Sequence, residues 1–116
     1  QAIGLAGNES RIETIYRLLP EVKAVANRKA VDLSGGQQKM VALGRSFVNA
    51  KRLLLLDEPF EGVSVALCRK LAEVIHRFQG SEKGLSILVA ESDLKRAAML
   101  TQKSYVIERG EVVEGA

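Results

Sequence analysis

Two adjacent carboxylates, Asp57 and Glu58, follow a run of four leucines and precede Pro59. The leucine run Leu53–Leu56 predicts a parallel-sheet strand that is buried on both faces, and Pro59 ends it. In open parallel sheets, functional groups collect at the carboxyl ends of the strands. Since neighbouring strand residues point to opposite sides, one carboxylate could hold Mg²⁺ while the other orients an attacking water. A solvated Asp-Glu turn after a core strand is the alternative interpretation.

A second candidate site is the segment Ser34-Gly35-Gly36-Gln37, which stands before a long helix-forming run. Ser34 and Gln37 have the spacing of a capping box. Gly35 and Gly36 fill the first turn, where glycine is a poor helix former and where unpaired amides favour a phosphate. The segment therefore predicts either a phosphate-binding helix start or a capped helix whose glycines serve packing.

The remaining pattern predicts the elements that would position these residues. Loops are predicted for Gln1–Asn8, Asn27–Asp32 and Gly80–Gly84. Apolar spacing and capping residues predict helices from Asn8 or Ser10 to about Leu19, from Pro20, over Gly35–Asn49, over Val65–Phe78, and from Ser92 or Asp93 through Leu100. A second buried strand is expected at Leu85–Ala90, and a hairpin at Tyr105–Ile107 and Val112–Val113 with glycine in its turn.

In this order and one helix apart, the two motifs resemble the ATPase subunit of ATP-binding-cassette (ABC) transporters. Leu33–Gln37 matches the family signature LSGGQ, and Leu53–Glu58 matches its Walker B strand with the adjacent catalytic glutamate. The later segments are similar to the family's D-loop, switch strand and terminal hairpin: Phe60–Ser64, Ile87–Asp93 and Tyr105–Val113. Leu19–Val22 and Glu61-Gly62 resemble the branch that serves branched-chain amino-acid and urea importers.

The resemblance implies an α/β fold, a partial P-loop NTPase (RecA-like) core with part of the ABC helical subdomain. Residues 1–50 would be the helical subdomain portion with the signature helix, and residues 51–116 the C-terminal part of the core. No Gly-x-x-x-x-Gly-Lys-Ser/Thr loop is found in the sequence. In the family that loop precedes the signature, so the chain is expected to be the C-terminal half of a longer ATPase domain and inactive by itself.

The resemblance also implies the cofactors ATP and Mg²⁺ and a role for each site residue. Ser34, Gly35, Gly36 and Gln37 would bind the γ-phosphate held by a second ATPase domain. Asp57 would hold Mg²⁺, and Glu58 would polarise the attacking water. The expected partners are that second domain and transmembrane permease subunits, which would place the protein in the cytoplasm at the inner face of the membrane. Neither nucleic-acid binding nor direct membrane insertion is expected.

Two positions depart from the family pattern. The switch position, usually His and often Gln in the importer branch, holds Ser92, whose hydroxyl is too short to do all that His does at a γ-phosphate. The D-loop usually ends in Asp but here ends in Ser64. Ser92 is retained as a catalytic candidate beside Glu58. The two changes predict slower hydrolysis more than weaker ATP binding.

Composition gives little support for a nucleic-acid-binding or membrane-spanning protein. The chain of 116 residues has 17 basic and 14 acidic residues, a net charge of +3 that argues only weakly for nucleic acid. No apolar run approaches the roughly 20 residues of a membrane span. His76 is expected to be an ordinary exposed residue and Cys68 a packing or surface residue.

Two other functions stay open. The first is the ATPase head of a DNA-repair or chromosome-organising protein, although no heptad run is present. The second is a non-catalytic remnant that serves as a binding or dimerisation surface, which the missing phosphate loop, Ser64 and Ser92 would suit.

Overall fold

The computed structural model describes residues 2–101 and 103–114, with side chains for residues 10–101 and 103–113. Its helices are α1 (Ala2–Leu18), α2 (Pro20–Ala24), α3 (Gly35–Asn49), α4 (Val65–Ser81) and α5 (Leu94–Ala98). Its strands are β1 (Leu53–Asp57), β2 (Ser86–Ala90), β3 (Tyr105–Glu108) and β4 (Glu111–Glu114), and one 3-10 turn spans Ala30–Asp32. The mixture of helices and strands confirms the predicted α/β class. None of the described helices is long and apolar enough to cross a bilayer.

The core forms where α1, α3 and α4 pack against one another. At its centre the rings of Phe47 and Phe78 stack, with centroids 4.1 Å apart and planes 10° from parallel. Leu19, Phe60 and Leu71 are also almost fully buried. This packing fixes α3 and α4 relative to each other. The signature segment lies at the N-terminal end of α3, and the D-loop-like segment Phe60–Ser64 lies at the N-terminal end of α4.

Arg11 ties α1 to the end of α3. Its guanidinium donates to the carbonyl oxygens of Val48, at 3.3 Å, and Ala50. The last carbonyls of a helix have no intrahelical donor, so this side chain satisfies groups that would otherwise need water. Arg11 also lies 3.4 Å from Glu82, just beyond α4. One cation therefore joins three helices at the end of α3 that lies away from the signature segment.

Strands β1 and β2 pair in parallel with Leu55 opposite Leu88 and Asp57 opposite Ala90. The prediction that β1 is buried on both faces is wrong for this chain. Leu54 is 6% exposed, whereas Leu53 and Leu55 are 54% and 65% exposed. Strand side chains alternate between faces, and the core that contains Leu54 covers only one of them. The other face of the two-stranded sheet is apolar and open.

Several predicted boundaries also change. Helix α1 begins at Ala2, where a loop was predicted over Gln1–Asn8, and α4 continues through Gly80 to Ser81 instead of ending at Phe78. An internal glycine costs a helix only about 1 kcal/mol, which neighbouring packing offsets. Strand β2 begins at Ser86 instead of Leu85, and α5 ends at Ala98 instead of Leu100.

The hairpin and the cap of α5 are confirmed. Strands β3 and β4 pair antiparallel around Arg109 and Gly110, whose φ angles of 50° and 80° are those of a turn that matches strand twist. Asp93, one of the two predicted caps, accepts hydrogen bonds from the amides of Lys95 and Arg96 at 2.9 and 3.2 Å.

Candidate functional site

The N-terminus of α3 has the predicted capping box. The amide of Gln37 donates to Ser34 Oγ at 3.1 Å, and the amide of Ser34 donates to Gln37 Oε1 at 2.9 Å. The amides of Gly35 and Gly36 lie in the first turn, where no intrahelical acceptor is available to them. The cap therefore fixes the helix start and leaves two glycine amides for an outside acceptor.

The two glycines have different surroundings. A Cβ at Gly35 would meet nothing within 4 Å, whereas a Cβ at Gly36 would lie 3.0 Å from Leu67 Cδ2 on α4. A side chain at position 36 would therefore require the end of the Leu67 side chain to move. Packing does not explain Gly35, and its open surroundings leave room for a ligand at the positive end of the helix dipole.

The second part of the site lies at the carboxyl ends of β1 and β2. The amide of Glu58 donates to the carbonyl oxygen of Ala90 at 2.8 Å, which extends the parallel ladder past Asp57. Glu58 has a φ of 46°, a left-handed conformation that is uncommon for a residue with a side chain. This conformation ends the strand and places the Glu58 carboxylate beside β2, where its Oε1 accepts a hydrogen bond from the amide of Ser92 at 3.1 Å.

The structure thus brings together the two predicted catalytic residues, Glu58 and Ser92. The 3.1 Å contact uses the backbone amide of Ser92, and the Ser92 side chain also helps to lower the pKa of Glu58. The Asp57 side chain is exposed and makes no hydrogen bond or ion pair among the residues described. It is therefore free to accept a ligand.

Glu91 is a neighbour that the sequence analysis did not single out. Burial, followed by a hydrogen bond with Glu58, raises the pKa of Glu91. Hydrogen bonds from Glu91 and then Ser92 lower the pKa of Glu58. Oε2 of Glu91 is buried and has no hydrogen-bond partner among the described residues. The opposite directions of the two pKa shifts indicate that the two carboxyls interact directly. The sequence signal that could have identified Glu91 was its position, as an acidic residue directly after the second parallel strand.

The carboxylates fit a nucleotide-bound magnesium better than a metal site made by protein alone. Among the described residues, no group of three or more His, Cys, Asp or Glu side chains could enclose a metal ion. Mg²⁺ commonly binds through one or two carboxylates while phosphates and water complete its shell. The free carboxylate of Asp57 meets that requirement.

The two parts of the site remain separate within this chain. No hydrogen bond or ion pair in the described ranges joins Ser34–Gln37 to Asp57, Glu58 or Ser92. A cleft of about 180 Å³ lies between α3 and the end of β1, and both Lys39 and Asp57 line it. Each part thus offers groups for a phosphorylated ligand, but neither surrounds one.

Comparisons with known proteins cover both parts. The family described as ABC transporter matches residues 7–61, which include Ser34–Gln37 and Asp57-Glu58. The branched-chain amino acid transport ATP-binding protein BraG of Pseudomonas aeruginosa is 30% identical over 89% of this chain and 43% of its own length. The probable branched-chain amino acid transport ATP-binding protein LivF of Archaeoglobus fulgidus is 31% identical over 90% of this chain and 44% of its own length.

Relatives with other named solutes and a solved structure also match. The spermidine/putrescine import ATP-binding protein PotA of Bacillus cereus is 31% identical over 97% of this chain and 34% of its own. The structure of MJ1267, an ATP-binding cassette of an ABC transporter, matches with a TM-score of 0.71 and 29% identity, over 90% of this chain and 42% of that one. The chain spans less than half the length of these relatives.

Proposed function

Since the chain belongs to the ABC transporter ATPase family, we propose that it forms the C-terminal part of the ATP-binding subunit of an importer. The observation that carries this proposal is the hydrogen bond between Glu58 and Ser92 at the ends of two parallel strands, directly after Asp57. In this proposal, residues 1–50 belong to the helical subdomain and residues 51–116 to the RecA-like core.

We propose that the site acts on ATP in the following way. The open amides of Gly35 and Gly36, with Ser34 and Gln37, contact the γ-phosphate of a nucleotide held mainly by a second ATPase domain. This arrangement agrees with the separation of the signature segment from the carboxylates within one chain. Composite sites of this kind need both domains, so nucleotide binding promotes their association.

The two carboxylates have different roles in this proposal, metal binding for Asp57 and activation of water for Glu58. Asp57 would hold Mg²⁺, which would supply positive charge to the phosphates. Glu58 orients the attacking water and accepts its proton, while the amide of Ser92 holds Glu58 Oε1. For Glu58 to act on water, its contact with Glu91 has to open.

The transported solute and the cellular setting are inferred from the relatives. BraG and LivF are named for branched-chain amino acids, and they support amino acids or urea-like compounds as the solute class. We further propose that the subunit contacts transmembrane permease subunits at the inner face of the membrane. Uptake of labelled leucine and urea, compared with spermidine, by cells lacking the gene would test the solute class.

The catalytic proposal is tested with the polypeptide encoded by the whole reading frame that contains these residues. Replacing a general base typically costs about 10²- to 10⁴-fold in rate, so Glu58→Gln is expected to lower ATP turnover by at least about 100-fold while ATP still binds. Glu111→Gln, at an exposed hairpin position, is the control and should retain turnover. Unchanged turnover in Glu58→Gln would refute the role of Glu58.

Two further measurements compare ATP turnover by the 116-residue chain with turnover by the polypeptide encoded by the whole reading frame. The 116-residue chain alone is expected to hydrolyse no ATP, and turnover that depends on Glu58 would overturn this expectation. In the longer polypeptide, Ser92→Ala keeps the amide contact with Glu58, so a loss of turnover would report the hydroxyl itself. Ser92→His should raise turnover if the short side chain limits the rate.

A further inference from the structure

A larger cavity, of about 800 Å³, lies between α4 and α5. All of its lining residues come from positions 63–99, and none of the predicted site residues is among them. Its volume is within the range of small-molecule pockets, about 300–1,000 Å³. The cavity is therefore a separate feature, built by one continuous stretch of the chain.

The floor of the cavity is apolar. Cys68 and Ala72 are buried members of the lining, and Val63 and Met99 are partly buried beside them. The Cys68 thiol donates a weak hydrogen bond to the carbonyl oxygen of Val63, with Sγ 3.6 Å from that oxygen. Such a floor favours the apolar body of a ligand over a bare inorganic ion.

The charged lining is cationic in excess, with four Arg or Lys side chains and two carboxylates. Both carboxylates are already engaged. Glu73 pairs with Arg77 at 2.7 Å. Asp93 accepts the amides of Lys95 and Arg96 and lies 3.9 Å from the Arg96 guanidinium. Neither carboxylate is left to neutralise further positive charge.

Two cations remain available to a ligand. Arg69 and Lys95 make no ion pair within the described ranges. His76 Nε2 lies 3.0 Å from the carbonyl oxygen of Met99. An acceptor at that distance requires the proton on Nε2, so Nδ1 is also free to interact with a ligand.

We propose that this cavity binds an amphipathic organic anion, an aromatic or short acyl body that carries one carboxylate or phosphate group. The apolar body would lie on Cys68, Ala72 and Met99, and the anionic group would meet Arg69 and Lys95 at the rim. Charge-assisted hydrogen bonds to carboxylate or phosphate are the strong interactions that these side chains can make. The proposal does not depend on the ATPase role.

Methyl ¹³C NMR of the 116-residue chain tests the proposal with three matched probes: 1-naphthoate, 1-naphthyl phosphate and the neutral 1-naphthamide. Saturable shifts are expected at the methyls of Val63, Ala72 and Met99 and not at Leu55 or Leu88 on the open sheet face. Exposed charge contacts contribute up to about 1 kcal/mol each, so the anions should bind roughly fivefold more tightly than the amide. The preferred anionic group, carboxylate or phosphate, follows from comparing the first two probes.

Matched variants then identify the contacts. The double variant Arg69→Gln/Lys95→Gln should reduce anion affinity to that of the amide and leave amide affinity unchanged. Arg45→Gln/Lys83→Gln removes the same charge at exposed positions outside the cavity lining and should have little effect. Bound ligand should also slow alkylation of Cys68.

Three results would overturn the proposal. The first is equal affinity for the anions and the amide. The second is a pattern of shifts centred on Leu55 and Leu88, which would place the probe on the open sheet face. The third is an equal loss of affinity in both double variants, which would show that net charge alone attracts the anion.

Discussion

The open face of β1 makes a quantitative prediction about two neighbouring leucines. Leu54 and Leu55 have the same side chain on the same strand, but their exposures are 6% and 65%. Replacing each by alanine removes the same atoms. Any difference between the two variants in the free energy of unfolding therefore reports the environment of each side chain in the folded chain.

The structure sets the expected size of that difference. Truncating a buried leucine to alanine typically costs about 2–5 kcal/mol, which includes the cavity left behind, so we expect about 3 kcal/mol for Leu54→Ala. Full burial of a leucine contributes about 2 kcal/mol, and Leu55 retains about a third of that burial. Leu55→Ala should therefore cost about 0.7 kcal/mol, roughly a quarter of the cost at Leu54.

Urea unfolding followed by far-UV circular dichroism measures both costs. The slope of free energy against urea should be the same in both variants, so that the midpoints report stability directly. The unchanged chain should be measured at two protein concentrations at least tenfold apart. A constant midpoint is expected, because no second chain is needed to account for the burial of Leu54.

A cost above about 2 kcal/mol for Leu55→Ala would refute the reasoning, since only a covered side chain loses that much on truncation. A midpoint that rises with protein concentration would identify the cover as a second copy of the chain. A cost below about 1 kcal/mol for Leu54→Ala would contradict the packing of β1 against the core.

Three further predictions concern the caps, the core and the ionisable groups. Ser34→Ala should lower stability by about 1 kcal/mol in thermal unfolding, because the Gln37 amide loses its acceptor. Phe78→Leu should cost about 1–3 kcal/mol in urea unfolding, because it removes the ring stacked on Phe47 and leaves a partly filled site. Glu91→Gln should stabilise the chain at pH 8 and have little effect near pH 4, as measured by urea unfolding at each pH. The pKa of Glu91 is raised by burial, so the folded chain disfavours its ionised form, and that cost grows as pH rises above the unfolded value of about 4.3.

The first and third of these predictions have a control variant, and all three have an opposing outcome. Ser81→Ala, near the C-terminal end of α4, removes a hydroxyl without removing an N-cap, and a loss there equal to that of Ser34→Ala would argue against a capping effect. Full stability of Phe78→Leu would contradict the stacked core. Glu61→Gln, at an exposed position, should show no stabilisation at pH 8, and equal stabilisation in both Gln variants would assign the effect to net charge.

The elements that follow from neighbouring residues could be predicted from the sequence. The capping box joins Ser34 and Gln37, which are three residues apart, so the residue types alone indicate it. The Arg109-Gly110 turn and the end of β1 before Pro59 are similarly local. The family resemblance added the roles of Asp57, Glu58 and Ser92, which stay predictions until they are tested.

Features that depend on residues distant in the chain were decided by the tertiary structure. Gly36 lies close to Leu67, and Glu58 accepts a hydrogen bond from Ser92, 34 positions later. A run of leucines indicates a strand but carries no information on which layers are present to cover it. Three features arise only when separate segments pack together: the open face of β1, the contact between Glu58 and Glu91, and the cationic cavity between α4 and α5.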